Sequence, residues 1–349
     1  MGDLMKTISL CMIVKDEEES LEKCLKSVSS IVDEIIIVIT SDNQKTYEIA
    51  NKYTENIYYF QWINDFSKAR NFAISKASKD YYLWLDADDY INDEEKDKIV
   101  VLKDDNEDID IYYFLYDFDD NYMPFYRERL IKNNSKYLFK GKIHEAIIPS
   151  GNTKNVDITI TQQRIEKGLT DRNIKIFESF KEDEFTTRDY YYYARELYRH
   201  GKYQKAKYYF DKHINCNDAF YLDKIDSLYF LSILTNNINE SNSYLIDTFK
   251  LSLPKPNILC TLATNYLKQY KINEAIYYYK LALNCKNNGN DGFILKDYYD
   301  YIPSIQLCVC YDLLKDYKTA YYYNELANSY KSIPFRYKNN KEYLIKKIN

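Results

Sequence analysis

Glycine and proline are scarce, 7 and 6 residues in a chain of 349, which excludes a low-complexity or disordered polymer. The remaining composition, 46% hydrophobic and 29% charged, suits a globular chain long enough for two domains with separate cores. The seven cysteines (Cys11, Cys24, Cys216, Cys260, Cys285, Cys308 and Cys310) form no CxxC pair. Zinc-ribbon and dithiol redox chemistry are therefore not indicated, and reduced, mostly buried thiols are expected. No segment approaches the roughly 20 apolar residues of a membrane span. The opening "MGDLMKTISLCMIVKDEE" has neither the apolar core nor the small-residue cleavage site of a secretory leader, and "MGDLMK" lacks the Ser or Thr of a myristoylation signal. A soluble cytoplasmic protein is the expectation. A net charge of −5 gives no general electrostatic reason to bind nucleic acid or an anionic membrane.

Two periodicities divide the chain. From Ile8 to about Pro149, short apolar runs alternate with helical segments: "ISLCMIV", "EIIIVI", "IYYF" and "YYLWLDA" read as strands. "EEESLEKCLKSVSS", "NQKTYEIANKY" and "FSKARNFAISKAS" read as the helices between them. This order predicts an α/β domain with a mostly parallel sheet. "IDIYYFLY", "FYRERLIK" and "YLFKGKIHEAI" are expected to add further strands. The run "YYLWLDADDYI", Tyr81 to Ile91, stops abruptly at Asp86, Asp88 and Asp89, at the strand end where open α/β sheets bind ligands. Hard carboxylate oxygens there suit a divalent cation, although an acidic turn or helix cap is the plainer reading of the cluster alone.

From about Thr187 the pattern becomes paired helices. Equivalent small positions at Ala206, Ser241, Ala275 and Ala320 are spaced by about 34 residues, with an insertion near "KNNGNDG" before the last. Together with Ala263, Tyr266, Tyr279 and Ala282 they resemble tetratricopeptide repeats, which stack into a surface that commonly holds a peptide or another subunit. Most of the 40 tyrosines are expected to pack on these helices, and His200 and His213 to serve packing or surface roles. The boundaries expected are 1–160 for the α/β domain, 161–186 for a connecting segment and 187–349 for the repeats.

The segments "LCMIVKDEEESLEKCLKSV", "NDFSKARNFAISKASKDYYLWLDADDYI" and "RERLIKNNSKYLFKGKIHEAI" resemble, in order, family 2 glycosyltransferases of the Rossmann-like GT-A fold. The resemblance implies inverting transfer from a UDP-sugar, of N-acetylglucosamine or glucose type, with Mn²⁺ or Mg²⁺. It places Asp88 and His144 on the metal, with Asp88 catalytic. Val14, Glu17, Asp42, Arg70, Asp86 and Asp89 fall about the donor, and Glu145 is the candidate base. Where relatives carry an acid at the end of the second strand, this chain has Ile39, with Asp42 the nearest replacement. The pairing with repeats resembles bacterial protein and peptide glycosyltransferases, so the acceptor expected is a Ser, Thr or Cys side chain of a polypeptide gripped by the repeats. A cell-envelope glycan acceptor, a scaffold that binds polypeptide with little or no turnover, and a homodimer through the repeats stay open.

Overall fold

The computed structural model describes residues 5–118, 121–163, 168–290 and 292–349; Gly2 and Asp291 of the stretches above lie outside them. The chain forms two compact units, residues 1–120 with 124–181, and residues 121–123 with 182–349.

In the first unit the strands and helices run β1 (Ile8–Val14), α1 (Leu21–Val28), β2 (Glu34–Ile39), α2 (Gln44–Ala50), β3 (Ile57–Tyr59), α3 (Phe66–Ile74) and β4 (Tyr81–Trp84). They continue through β5 (Asp89–Tyr90), α4 (Asp93–Lys103), β6 (Ile111–Asp117), β7 (Phe125–Lys132), β8 (Phe139–Lys140), β9 (Ala146–Ile147), β10 (Thr153–Gln162) and α5 (Arg172–Glu178). The main sheet has the order β3-β2-β1-β4-β7-β6-β10-β5. β1 pairs parallel with β2 and with β4, while β7 runs antiparallel to both β4 and β6. Continuous apolar runs form β1 and β4 because both faces of these strands are covered. Leu10 and Met12 of β1 join Leu83 and the α1 residues Leu21 and Leu25 in one core. Cys11 joins Tyr82, Trp84 and Ala73 of α3 in the other. "YLFKGKIHEAI" is mostly irregular: only β8 and β9 pair, as a separate two-stranded ribbon. Gly141 (φ +96°) sits in its turn, where a side chain would be strained.

The expected connector is no linker. β10 runs on to Gln162, and the first unit extends through α5 to Lys181.

The second unit consists of α6 (Thr187–Arg199), α7 (Tyr203–Ile214), α8 (Tyr221–Leu234), α9 (Ile238–Asp247), α10 (Pro256–Lys268), α11 (Ile272–Leu283), α12 (Tyr301–Leu313), α13 (Tyr317–Tyr330) and α14 (Pro334–Ile348). Ala206, Ser241, Ala275 and Ala320 fall on the second helix of successive pairs, and all four are buried. A small side chain lets the facing helix approach there, which is why this position carries the repeat signal. All seven cysteines are unpaired thiols.

His213 on α7 is buried, with Nδ1 2.8 Å from Ser227 Oγ of α8. Burial, aided by Lys224, pushes its pKa down to about 4. The unfolded chain takes up this proton near pH 6.5 and the folded chain only near 4, so stability is complete above the first value and falls between the two. The loss should reach at most about 3 kcal/mol. Urea unfolding at pH 7 and pH 4.5 should show it in the wild type but not in His213→Gln; an equal acid sensitivity in both would refute the assignment.

Candidate active site

β4 ends at Trp84, whose indole donates to Glu128 O of β7 (2.7 Å). Beyond it the chain turns sharply: Asp89 N donates to Asp86 O and Asp86 N donates to Asp89 Oδ2, both at 3.0 Å. Asp89 is fully buried and also accepts from Arg129 Nη1 (3.0 Å) and Tyr116 Oη (3.1 Å). The third carboxylate, expected near the donor, is therefore the internal brace of the acidic loop and does not line the cleft. Asp86 and Asp88 remain at the surface of that loop. Asp88 accepts from Gln162 Nε2 of β10 at 3.0 Å.

The "DFSKARN" motif is a docking device. Asp65 caps α3 by accepting from Lys68 N (3.0 Å), and Phe66 N donates to Lys142 O (2.8 Å). Asn71 donates to Phe139 O and accepts from Phe139 N, both at 2.9 Å. These bonds lock α3 to the β8–β9 ribbon and so align Arg70 with Glu145. Arg70 Nε donates to Glu145 Oε1 (2.5 Å) and Nη2 to Asp86 Oδ1 (2.7 Å), while its guanidinium lies 4.7 Å from the Trp84 ring centre. Arg70 and Glu145 are both buried. Burial alone would raise the Asp86 carboxyl, but Arg70, Arg129 and Arg127 outweigh it and hold it at about 2. Asp86 is thus an anion at any physiological pH.

These groups face a cavity of about 450 Å³ at the carboxyl ends of the strands. It lies where β1 has neighbours on both sides, the crevice in which open sheets hold ligands. The structure brings together Val14, Glu17, Arg70, Asp86, Asp88, His144 and Glu145 in its lining. His144, in a left-handed backbone conformation (φ +50°), stacks on Phe177 of α5 with ring centres 6.3 Å apart. The donor candidate Asp42 stays out, as does Ile39 at the position where relatives carry an acid. Ile39 is wholly buried in the core, and Asp42 is exposed and does not line the cavity. Thr40, the residue just past β2, lines it instead. The neighbouring loop is laced shut by Asp16, which accepts from Ser41 Oγ and Asn43 Nδ2 at 3.0 Å. Asp42 thus lies away from the cavity, on a turn bound back toward β1.

The sequence reading missed Arg127, Gln162, Arg172 and Trp62, which also line the cavity. Arg127 lay within a quoted segment, but only the pairing of β4 with β7 brings it to Trp84. Gln162 and Arg172 lay in the supposed connector. Trp62 packs edge-on against Phe66, 4.7 Å between centres, and no periodicity marks it.

The family model described as Glycosyl transferase family 2 matches residues 9–156. The SPbeta prophage-derived glycosyltransferase SunS of Bacillus subtilis is 27% identical over 271 residues, 71% of this chain and 64% of that protein. A TPR repeat-containing protein of Synechococcus elongatus is 45% identical over 89 residues, 26% of this chain and 22% of that protein. This chain thus spans less than two thirds of the length of either relative. Residues 1–349 of S. aureus TarS overlay on it with a TM-score of 0.38 at 11% identity, covering 83% of this chain and 98% of that one. No helix is long and apolar enough to cross a membrane among the described residues. The Glycosyl transferase family 2 match thus runs from β1 into β10, stopping short of Gln162, and tetratricopeptide-like repeats follow it in sequence.

Proposed function

We propose that the chain is an inverting glycosyltransferase that moves a sugar from a UDP-sugar to a Ser, Thr or Cys side chain of a protein or peptide. The observation that carries this reading is convergence. Residues following β1 and β4, on α3 and in the β8–β9 ribbon, distant in sequence, line one cavity within the family 2 domain. The acceptor heteroatom attacks the anomeric carbon opposite the leaving group. The bond from that carbon to the diphosphate oxygen breaks, its electron pair leaves as UDP, and the acceptor proton is released. The repeats support a polypeptide acceptor, since gripping a chain raises the local concentration of one side chain beside the donor.

A divalent cation fits the donor set. Asp86 and Asp88 are hard oxygen ligands on one loop, and Mg²⁺ or Mn²⁺ is commonly held by one or two carboxylates plus substrate phosphates. Asp88 and Asp86 would hold the ion, with His144 at the cavity edge. When bound, it supplies Lewis-acid neutralisation of the leaving diphosphate.

Glu145 is better placed as a positioning residue than as the base, because it is buried and an oxygen is committed to Arg70. A general base typically contributes 10²- to 10⁴-fold. Glu145→Gln should therefore lower turnover by only about 10-fold or less and leave the pH-rate profile in place. Loss of its acidic limb together with a drop of about 1,000-fold would restore the base assignment.

The function is tested by UDP release from a panel of UDP-sugars with Mn²⁺, with and without chelator, in the presence of candidate polypeptides. One donor consumed only with metal and acceptor supports transfer to a polypeptide. The buried Ile39 favours a second reading, in which a donor is bound and not turned over. Calorimetric binding of a UDP-sugar without UDP release would establish that one.

A further inference from the structure

We propose that Arg127 is the leaving-group cation of this site: a ligand of the donor diphosphate, acting together with the third nitrogen of Arg70. This rests on the donor reading above. Arg127 and Arg129 stand two residues apart on β7, and both guanidinium groups lie against the Trp84 ring, at 4.6 and 4.0 Å from its centre. Arg70 lies at 4.7 Å from the same ring. Three cations thus share one buried indole, and their partners differ. Arg129 is paired with Asp89, and Arg70 with Asp86 and Glu145. The Arg127 side chain lines the cavity, and its guanidinium makes no hydrogen bond or ion pair with any described residue.

A second observation points the same way. Arg70 is 7% exposed and lines the same cavity, yet its Nη1 is buried without a hydrogen-bond partner among the described residues. An unsatisfied guanidinium nitrogen is costly unless a ligand completes it. Together the two arginines offer a planar, always-charged donor set suited to phosphate oxygens. The indole fixes the guanidinium of Arg127 before the ligand arrives, so little ordering is lost on binding. As the sugar leaves, the electron pair of the breaking bond passes to the departing phosphate oxygen, and these donors stabilise the growing charge.

The test is calorimetric binding of UDP, uridine and inorganic diphosphate, each with Mg²⁺ and with chelator, to the full chain and to Arg127→Ala and Arg127→Lys. Arg127→Ala should weaken UDP and inorganic diphosphate about 10- to 100-fold in both conditions and leave uridine unchanged, because a charge-assisted contact to phosphate is lost. Arg127→Lys should recover part of that, keeping the charge and losing the fork. Unchanged UDP affinity in Arg127→Ala overturns the proposal, as does an equal loss for UDP and uridine, which would mean a collapsed pocket. If the wild type binds inorganic diphosphate through Arg127 but binds UDP no better, the anion role stands and the nucleotide reading falls. If it binds neither, both fall. Should Arg127→Ala fail to fold, Arg127→Gln replaces it, with the urea midpoint as the control.

Discussion

Asp88→Ala is expected to reduce sugar transfer by about 1,000-fold or more, equivalent to roughly 4 kcal/mol of transition-state stabilisation, with the fold intact. Asp88 is half-buried at the cavity wall, where its carboxylate accepts from Gln162, itself on the cavity. The backbone bond from Gln163 N to Asp88 O (2.5 Å) survives truncation, so the loop keeps its tie to β10. Gln162 is a neutral amide, so losing this bond strands no charge on it. The cost to stability should therefore stay within about 1 kcal/mol. UDP release and the urea midpoint, measured on one preparation, separate the two effects. Retained turnover, or a variant recovered only as unfolded protein, would remove Asp88 from the proposed chemistry.

One residue further on, the expectation is reversed. Asp89→Ala should destabilise the first unit by about 3–5 kcal/mol, because it strands a buried cation. Asp89 and Arg129 are both fully buried, and Arg129 Nε and Nη2 already lack hydrogen-bond partners among the described residues. Among the described residues, only Asp89 and Trp84 O (3.2 Å) accept from this guanidinium. Both tryptophans, Trp62 and Trp84, belong to the first unit, so their fluorescence in urea follows its unfolding alone. The double variant Asp89→Ala with Arg129→Met should recover much of the loss, since an apolar pair of similar bulk leaves no uncompensated charge. An Asp89→Ala variant with the wild-type midpoint would show that the pair braces nothing. Adjacent carboxylates thus differ in setting: Asp88 lines the cavity, and Asp89 braces the loop that carries it.

Much of this arrangement was legible in the order of residues. The apolar run Ile8–Val14 had to be a doubly covered strand, and the run from Tyr81 had to end where charged residues could reach water. The 34-residue spacing located the second helix of each repeat because a small residue recurs wherever two helices touch. The pairing of Arg70 with Glu145 was present only as two motifs of one family, and its physical content, the Asn71 and Phe139 bonds that join them, was not.

What the sequence determined by itself is the alternation of strands and helices from β1 to β4, the paired helices of the repeats, and that carboxylates follow β4, since periodicity and burial act over neighbouring residues. Tertiary structure alone decided which of those carboxylates faces the cleft. Asp88 and Asp89 are chemically identical side chains on adjacent residues, and only the arrival of Arg129 from an antiparallel strand 40 positions away drew one inward. The same distant strand set Arg127 on Trp84, and β10 carried Gln162 to Asp88. Such long-range pairings leave no local pattern, because each depends on where the sheet brings two strands together.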